Sequence, residues 1–174
     1  MRTPLAFALA VAAAILSAAP LALAEPYAVG STLPKIELPD QHGEARTIDD
    51  SVRALVFSRD MKAGDVVKAA VEQAGPDLFD RNSAVYVVDV KGMPAIIRTL
   101  FAMPAMRRRP YKLLVDDEGV KTADIPGGAT YPTVLVLDKL RVTAISYPTT
   151  AEELVAALQP ATATPPAEEP AKAE

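Results

Sequence analysis

The sequence predicts an α/β domain: a central mixed β-sheet with flanking helices and an N-terminal β-hairpin. Three stretches carry that prediction. Arg53 to Ser58, then Val66, Val67, Ala70, Val71 and Ala74 at helical spacing, then Ser83 to Val90 read as strand, helix and strand, the crossover unit of a parallel pair. Further on, the apolar run Thr133 to Leu137 turns at Asp138-Lys139-Leu140 into Arg141 to Ser146, which is an antiparallel hairpin. Near the start, Ile36 and Leu38 alternate with Lys35 and Glu37, Asp40-Gln41-His42-Gly43 makes a turn, and Ala45 to Ile48 returns as the second strand of a smaller hairpin.

Taken in order, residues 1–24 read as a secretory leader: Arg2 is the positive start, Leu5 to Leu16 the apolar stretch, and Ala22-Leu23-Ala24 the small-residue cleavage site before Glu25. The apolar stretch is shorter than the roughly 20 residues of a spanning helix, so the membrane-anchor reading ranks below export to the periplasm or the medium. Residues 25–159 form the domain, beginning with an extended lead-in over Glu25 to Thr32. The polar loop Arg59 to Gly64 precedes the first helix, which Gly75-Pro76 stops. Pro94 suits the first turn of the next helix, whose expected buried stripe is Ile96, Ile97, Leu100 and Phe101, and which Pro104 should end or kink. Tyr111 to Asp116 is a short strand, and Glu118 to Asp124 is one or two helical turns. Pro132 cannot donate to a ladder and so belongs at the mouth of its strand. Thr150 to Glu153 has the form of a capping box, and Leu154, Val155 and Leu158 are the buried face of the last helix. From Pro160 to Glu174 no large apolar residue remains, which predicts a disordered tail.

Composition excludes several functions. A net charge of -4 and 5% aromatic residues provide neither the basic field nor the stacking platforms of a nucleic-acid binder. The chain has no cysteine, so disulfides, lipoprotein anchoring and every thiol mechanism are absent. His42 is the lone histidine and lies in a turn, a poor start for a triad or a metal site. Met61, Met93, Met103 and Met106 are soft copper ligands by chemistry and core fillers by habit. Arg107-Arg108-Arg109 is a basic cluster at a helix end, favoured there by the dipole. Asp116-Asp117-Glu118-Gly119 lacks the alternating ligands of a calcium loop.

The order of elements, with Leu55-Val56-Phe57 as first core strand, Tyr111 to Asp116, and the Tyr131-Pro132-Thr133 entry to the last hairpin, resembles the thioredoxin-like superfamily. The likeness is to its exported peroxiredoxin-like and thiol-disulfide oxidoreductase branches, and spans about residues 30–158. The resemblance implies a thioredoxin-like fold with reactive cysteines at the start of the helix after the first core strand. Here Lys62 and Asp65 stand in those places, and neither side chain exchanges electrons with a disulfide. The resemblance also implies a cis Tyr131–Pro132 bond and a groove formed by Asp60, Met61, Lys62, Asp65, Tyr131 and Pro132. Such a groove suits an extended peptide or a small anion, with Lys62 and the helix amides favouring a carboxylate. A redox-inactive binding module with a protein or peptide partner, no cofactor and no stable membrane insertion follows. The alternative is a copper carrier or an enzyme using non-thiol groups, and a vestigial groove remains beside both.

Overall fold

The computed structural model describes residues 25–127 and 130–159. The expected leader, Gly128 of the turn before Tyr131, and the expected tail lie outside them. β1 (Ile36–Pro39) and β2 (Ala45–Ile48) pair antiparallel. β3 (Ala54–Ser58), β4 (Ala84–Asp89) and β5 (Leu114–Asp116) run parallel, and β6 (Thr133–Asp138) with β7 (Arg141–Ser146) is the antiparallel hairpin. The resulting five-stranded sheet has the order β5-β4-β3-β6-β7, with β6 antiparallel to β3. Every residue of the central strand β3 is buried, which explains its unbroken apolar run.

The two faces of the sheet are covered differently. On one, Val56, Tyr86, Val115 and Val134 meet Val67, Ala70 and Val71 of α1 (Met61–Ala74), Leu78 and Phe79 of α2 (Leu78–Arg81), and Leu154 and Leu158 of α5 (Ala151–Leu158). On the other, Leu55, Phe57, Leu135 and Leu137 meet Ile36, Leu38 and Ile48 of the small hairpin, with Leu33 and Ile125. The lead-in binds the start of β7 through Gly30 N–H to Val142 O and Leu33 N–H to Leu140 O, both 2.8 Å, which partly shields that edge. Among the described residues no helix is long and apolar enough to cross a membrane.

Several expectations need correction. The loop before α1 is shorter than expected, because Asp60 caps the helix and lets it begin at Met61. The sequence reading missed α2, a single turn held by burial of Leu78 and Phe79. Residues 118–124 form turns without a helix, and the strand expected from Tyr111 begins only at Leu114.

The largest departure concerns the helix after β4. α3 (Ala95–Ile97) passes through a π turn (Arg98–Ala102) into α4 (Met103–Arg107). Pro104 has no N–H for the Leu100 carbonyl, and its ring would strike that carbonyl in a regular helix. The wider turn, in which the Met103 amide reaches back to Arg98 O, makes room for it. Ile96, Ile97, Leu100 and Phe101, expected to be buried, are exposed, and Met103 and Met106 pack on the core instead.

Candidate functional site

Phe57 pairs with Thr133 across β3 and β6, so Ser58 and Pro132 leave the sheet at the same end. There α1 begins, bringing Asp60, Met61, Lys62 and Asp65 on its first turns to the end of the sheet where Tyr131 enters β6. Val134 pairs with Ser146, which brings Tyr147 to this end as well. Met61 is 76% exposed, Tyr131 45% and Tyr147 49%. Pro132 is buried beside them. The sequence reading missed Tyr147, although the hairpin register would have shown it facing the Pro132-Thr133 step.

One expectation about this end is overturned. Tyr131–Pro132 is trans; the cis bond rested on resemblance alone, and X-Pro bonds in folded proteins are trans in all but about one case in twenty. The helix start carries a carboxylate of its own. Asp60 Oδ1 accepts the Lys62 amide at 2.9 Å, so a protein carboxylate already occupies part of the dipole's positive end, and Asp65 adds a second one nearby.

Beneath the site lies a polar layer, buried at Ser58 and Tyr86 and open to solvent at Arg59. Ser58 Oγ and Tyr86 Oη are 2.7 Å apart. Burial pushes the Tyr86 phenol well above its ordinary value, with the Ser58 hydrogen bond only partly opposing it. Arg59, expected as a loop residue, is an anchor: its Nε donates to Asp89 Oδ2 at 3.2 Å, its Nη2 donates to Thr122 O at 3.3 Å, and its guanidinium lies 4.9 Å from the Phe57 ring centroid. Thr133 Oγ1 donates to Pro126 O at 2.7 Å, tying the segment before Tyr131 to β6.

The remaining candidates scatter. His42 is exposed in its turn, where its amide donates to Asp40 Oδ1 at 2.8 Å. Burial would raise the Asp40 carboxyl, but the His42 and Glu44 amides together with Arg46 outweigh it and hold it below the usual range. Asp116 accepts from Gly119 N at 3.0 Å and from Thr122 N and Oγ1, each at 2.9 Å, so it staples a loop. Met103 and Met106 serve the core, Met93 is half-buried before α3, and Met61 is exposed on α1. Among the described residues no group of three His, Asp or Glu side chains is placed to hold a metal ion. A shallow cavity of about 270 Å³ between α1 and Arg109-Pro110-Tyr111, and another of about 240 Å³ lined by Arg46, Phe79 and Lys112, lie away from Met61 and Tyr131.

No family model and no curated protein matches the sequence. Among solved structures, the chain is similar to an uncharacterized conserved protein from Geobacillus kaustophilus, at 18% identity and TM-score 0.51 over 75% of this chain and 80% of that one. It is also similar to a putative protein disulfide isomerase from Bacteroides thetaiotaomicron, at 11% identity and TM-score 0.50 over 76% of this chain and 86% of that one. The chain has a thioredoxin-like fold. A further match is the peroxidoxin BcpB of Mycobacterium tuberculosis, at 23% identity and TM-score 0.49 over 75% of this chain and 95% of that one. Such identities carry the thioredoxin-like backbone across and no activity with it. At the end of the sheet where the resemblance implies thiols, this chain has Lys62 and Asp65.

Proposed function

We propose that the protein is an exported thioredoxin-like binding module that works without thiol chemistry, holding an extended polypeptide segment at the sheet end between the start of α1 and Tyr131. The observation that carries this reading is the Phe57–Thr133 register, which brings exposed Met61 and Tyr131 to one edge. A thioether is adaptable and a phenol offers both an apolar ring and a polar tip, the pairing that sequence-tolerant peptide contacts use. Asp60 in the cap argues against a carboxylate ligand and leaves Lys62 as the cation at the rim. The charged, apolar and small-residue pattern of residues 1–24 supports export to the periplasm or the medium. Copper carriage has less support, because Met103 and Met106 are half-buried against the core.

The test is to place a photo-crosslinking side chain at Met61 and irradiate cells. A discrete adduct in the exported fraction is expected, much reduced by Tyr131→Ala or Lys62→Glu in proteins whose circular dichroism is unchanged. An adduct indifferent to both substitutions, or none, would overturn the reading.

A further inference from the structure

From Lys91 to Lys112 the chain carries Lys91, Arg98, Arg107, Arg108, Arg109 and Lys112 and not one carboxylate, although the net charge of the whole is -4. That stretch contains the continuous helix from α3 through the π turn to α4, which turns its largest apolar side chains outward. Ile96 is 66% exposed, Ile97 44%, Leu100 60% and Phe101 64%. Arg107 and Arg108 continue the exposed side at the C-terminal end, and Lys91 is exposed just before the helix. Arg98 is held beneath it by Asp117, at 4.0 Å, and by the Asp117 carbonyl at 3.4 Å. Arg107 Nε donates to Gln41 O at 3.1 Å, which ties the end of the helix to the small hairpin. Among the described residues Lys91, Arg107 and Arg108 make no ion pair, and all three are exposed.

We infer that this helix face docks the protein peripherally on a membrane surface rich in anionic phospholipids. An exposed apolar helix face with unpaired cations at its two ends is the pattern of an interfacial helix, whose side chains enter the headgroup boundary while the cations attract acidic lipid. A second copy fits less well, because meeting the same face across a two-fold axis it would set cations against cations. A bilayer surface asks for no shape complementarity, so a convex face suffices. The inference stands apart from the proposed peptide site, which is built on α1 and β6.

Flotation of the full chain, as purified, with phosphatidylglycerol or phosphatidylcholine vesicles tests it. The expected result is partition onto phosphatidylglycerol vesicles, released at about 0.5 M NaCl, where the screening length falls to roughly 4 Å. Phe101→Glu and, separately, Arg108→Glu should each weaken that partition at least about tenfold with the circular dichroism unchanged. Leu100→Ser is the second apolar variant should Phe101→Glu lose its fold. These substitutions leave the apolar N-terminal stretch intact, so the difference from wild type reads this face alone. Equal binding to both lipids, variants that bind like wild type, or no binding would overturn the inference. So would a loss of self-association in the variants by sedimentation velocity with vesicle binding unchanged, which would assign the face to a second copy.

Discussion

Gly127, at φ +141, can carry no side chain, because a Cβ there would overlap the Thr133 hydroxyl and approach Tyr147 to 3.9 Å. Gly127→Ala should therefore cost about 2–4 kcal/mol in urea unfolding, from backbone strain and loss of the Thr133 bond to Pro126. An unchanged urea midpoint would mean that this segment is not fixed to β6. Gln41 is the other residue whose role no pattern announces. It is 2% exposed, its Nε2 donates to Tyr111 O at 2.9 Å, and its Oε1 accepts the Leu113 amide at 3.1 Å. Gln41→Leu keeps the volume and strands both backbone groups, so a loss of about 2–3 kcal/mol is expected by the same measurement. Turn composition made 40–43 legible as a turn, but a partner 70 residues away leaves no local trace. The Ser58–Tyr86 pair and the Arg59 anchor escaped the sequence reading for that reason.

Elements with one dominant local signal were legible, and those set by competing signals were not. Thr150 caps α5 as its sequence spacing predicts: its hydroxyl accepts the Glu153 amide, and Glu153 reaches back to the Thr149 amide at 2.6 Å and hydroxyl at 2.9 Å. The Thr149 amide, then its hydroxyl, lowers the Glu153 carboxyl below the ordinary 4.5. A lowered folded value gives stability that is present in full above the unfolded value and is lost as pH falls through the folded one. The thermal midpoint of wild type should accordingly exceed that of Glu153→Gln at neutral pH, with the margin closing as acid is added below 4.5. A margin independent of pH would remove the carboxylate from the cap. The β6–β7 turn was legible in place but not in strain: Lys139 at φ 49 and Leu140 at φ 67 occupy positions that usually go to Asn and Gly. Lys139→Asn should stabilise by about 0.5–1 kcal/mol, while Leu140→Gly should destabilise, because losing a buried leucine, about 2–5 kcal/mol, exceeds the relief of about 1–2. The helix from α3 to α4 misled the periodicity reading because an apolar stripe shows that a helix has an apolar face and not which way that face turns: Ile96, Ile97, Leu100 and Phe101 face outward, while Met103 and Met106, past the π turn before Pro104, meet the core.

At the scale of the molecule, a mixed sheet built from a parallel crossover and an antiparallel hairpin was legible, because each unit has its own local signal. What local pattern could not show was the asymmetry of its faces, helices on one and a hairpin with the lead-in on the other, since both kinds of cover present the same apolar residues to the sheet. The candidate site was legible as a juxtaposition of the α1 start with Tyr131 and not as a chemistry. Register brings the start of α1 to Tyr131 as the resemblance implied, yet the Asp60 cap and the trans Tyr131–Pro132 bond are local outcomes that resemblance alone could not fix. The fold by itself supplies a helix dipole at the end of the sheet, and a dipole transfers no electrons. Thiol-disulfide exchange begins with a thiolate attacking sulfur, and thiol-dependent peroxide reduction begins with a thiolate attacking oxygen to give sulfenic acid. With no cysteine among the 174 residues neither step has a nucleophile. In an insulin-reduction assay with a dithiol donor, and in a peroxide-consumption assay with the same donor, the protein should match the no-protein control. Turnover above that control would show that a group other than sulfur carries electrons here, and the binding-module reading would have to give way to an enzyme.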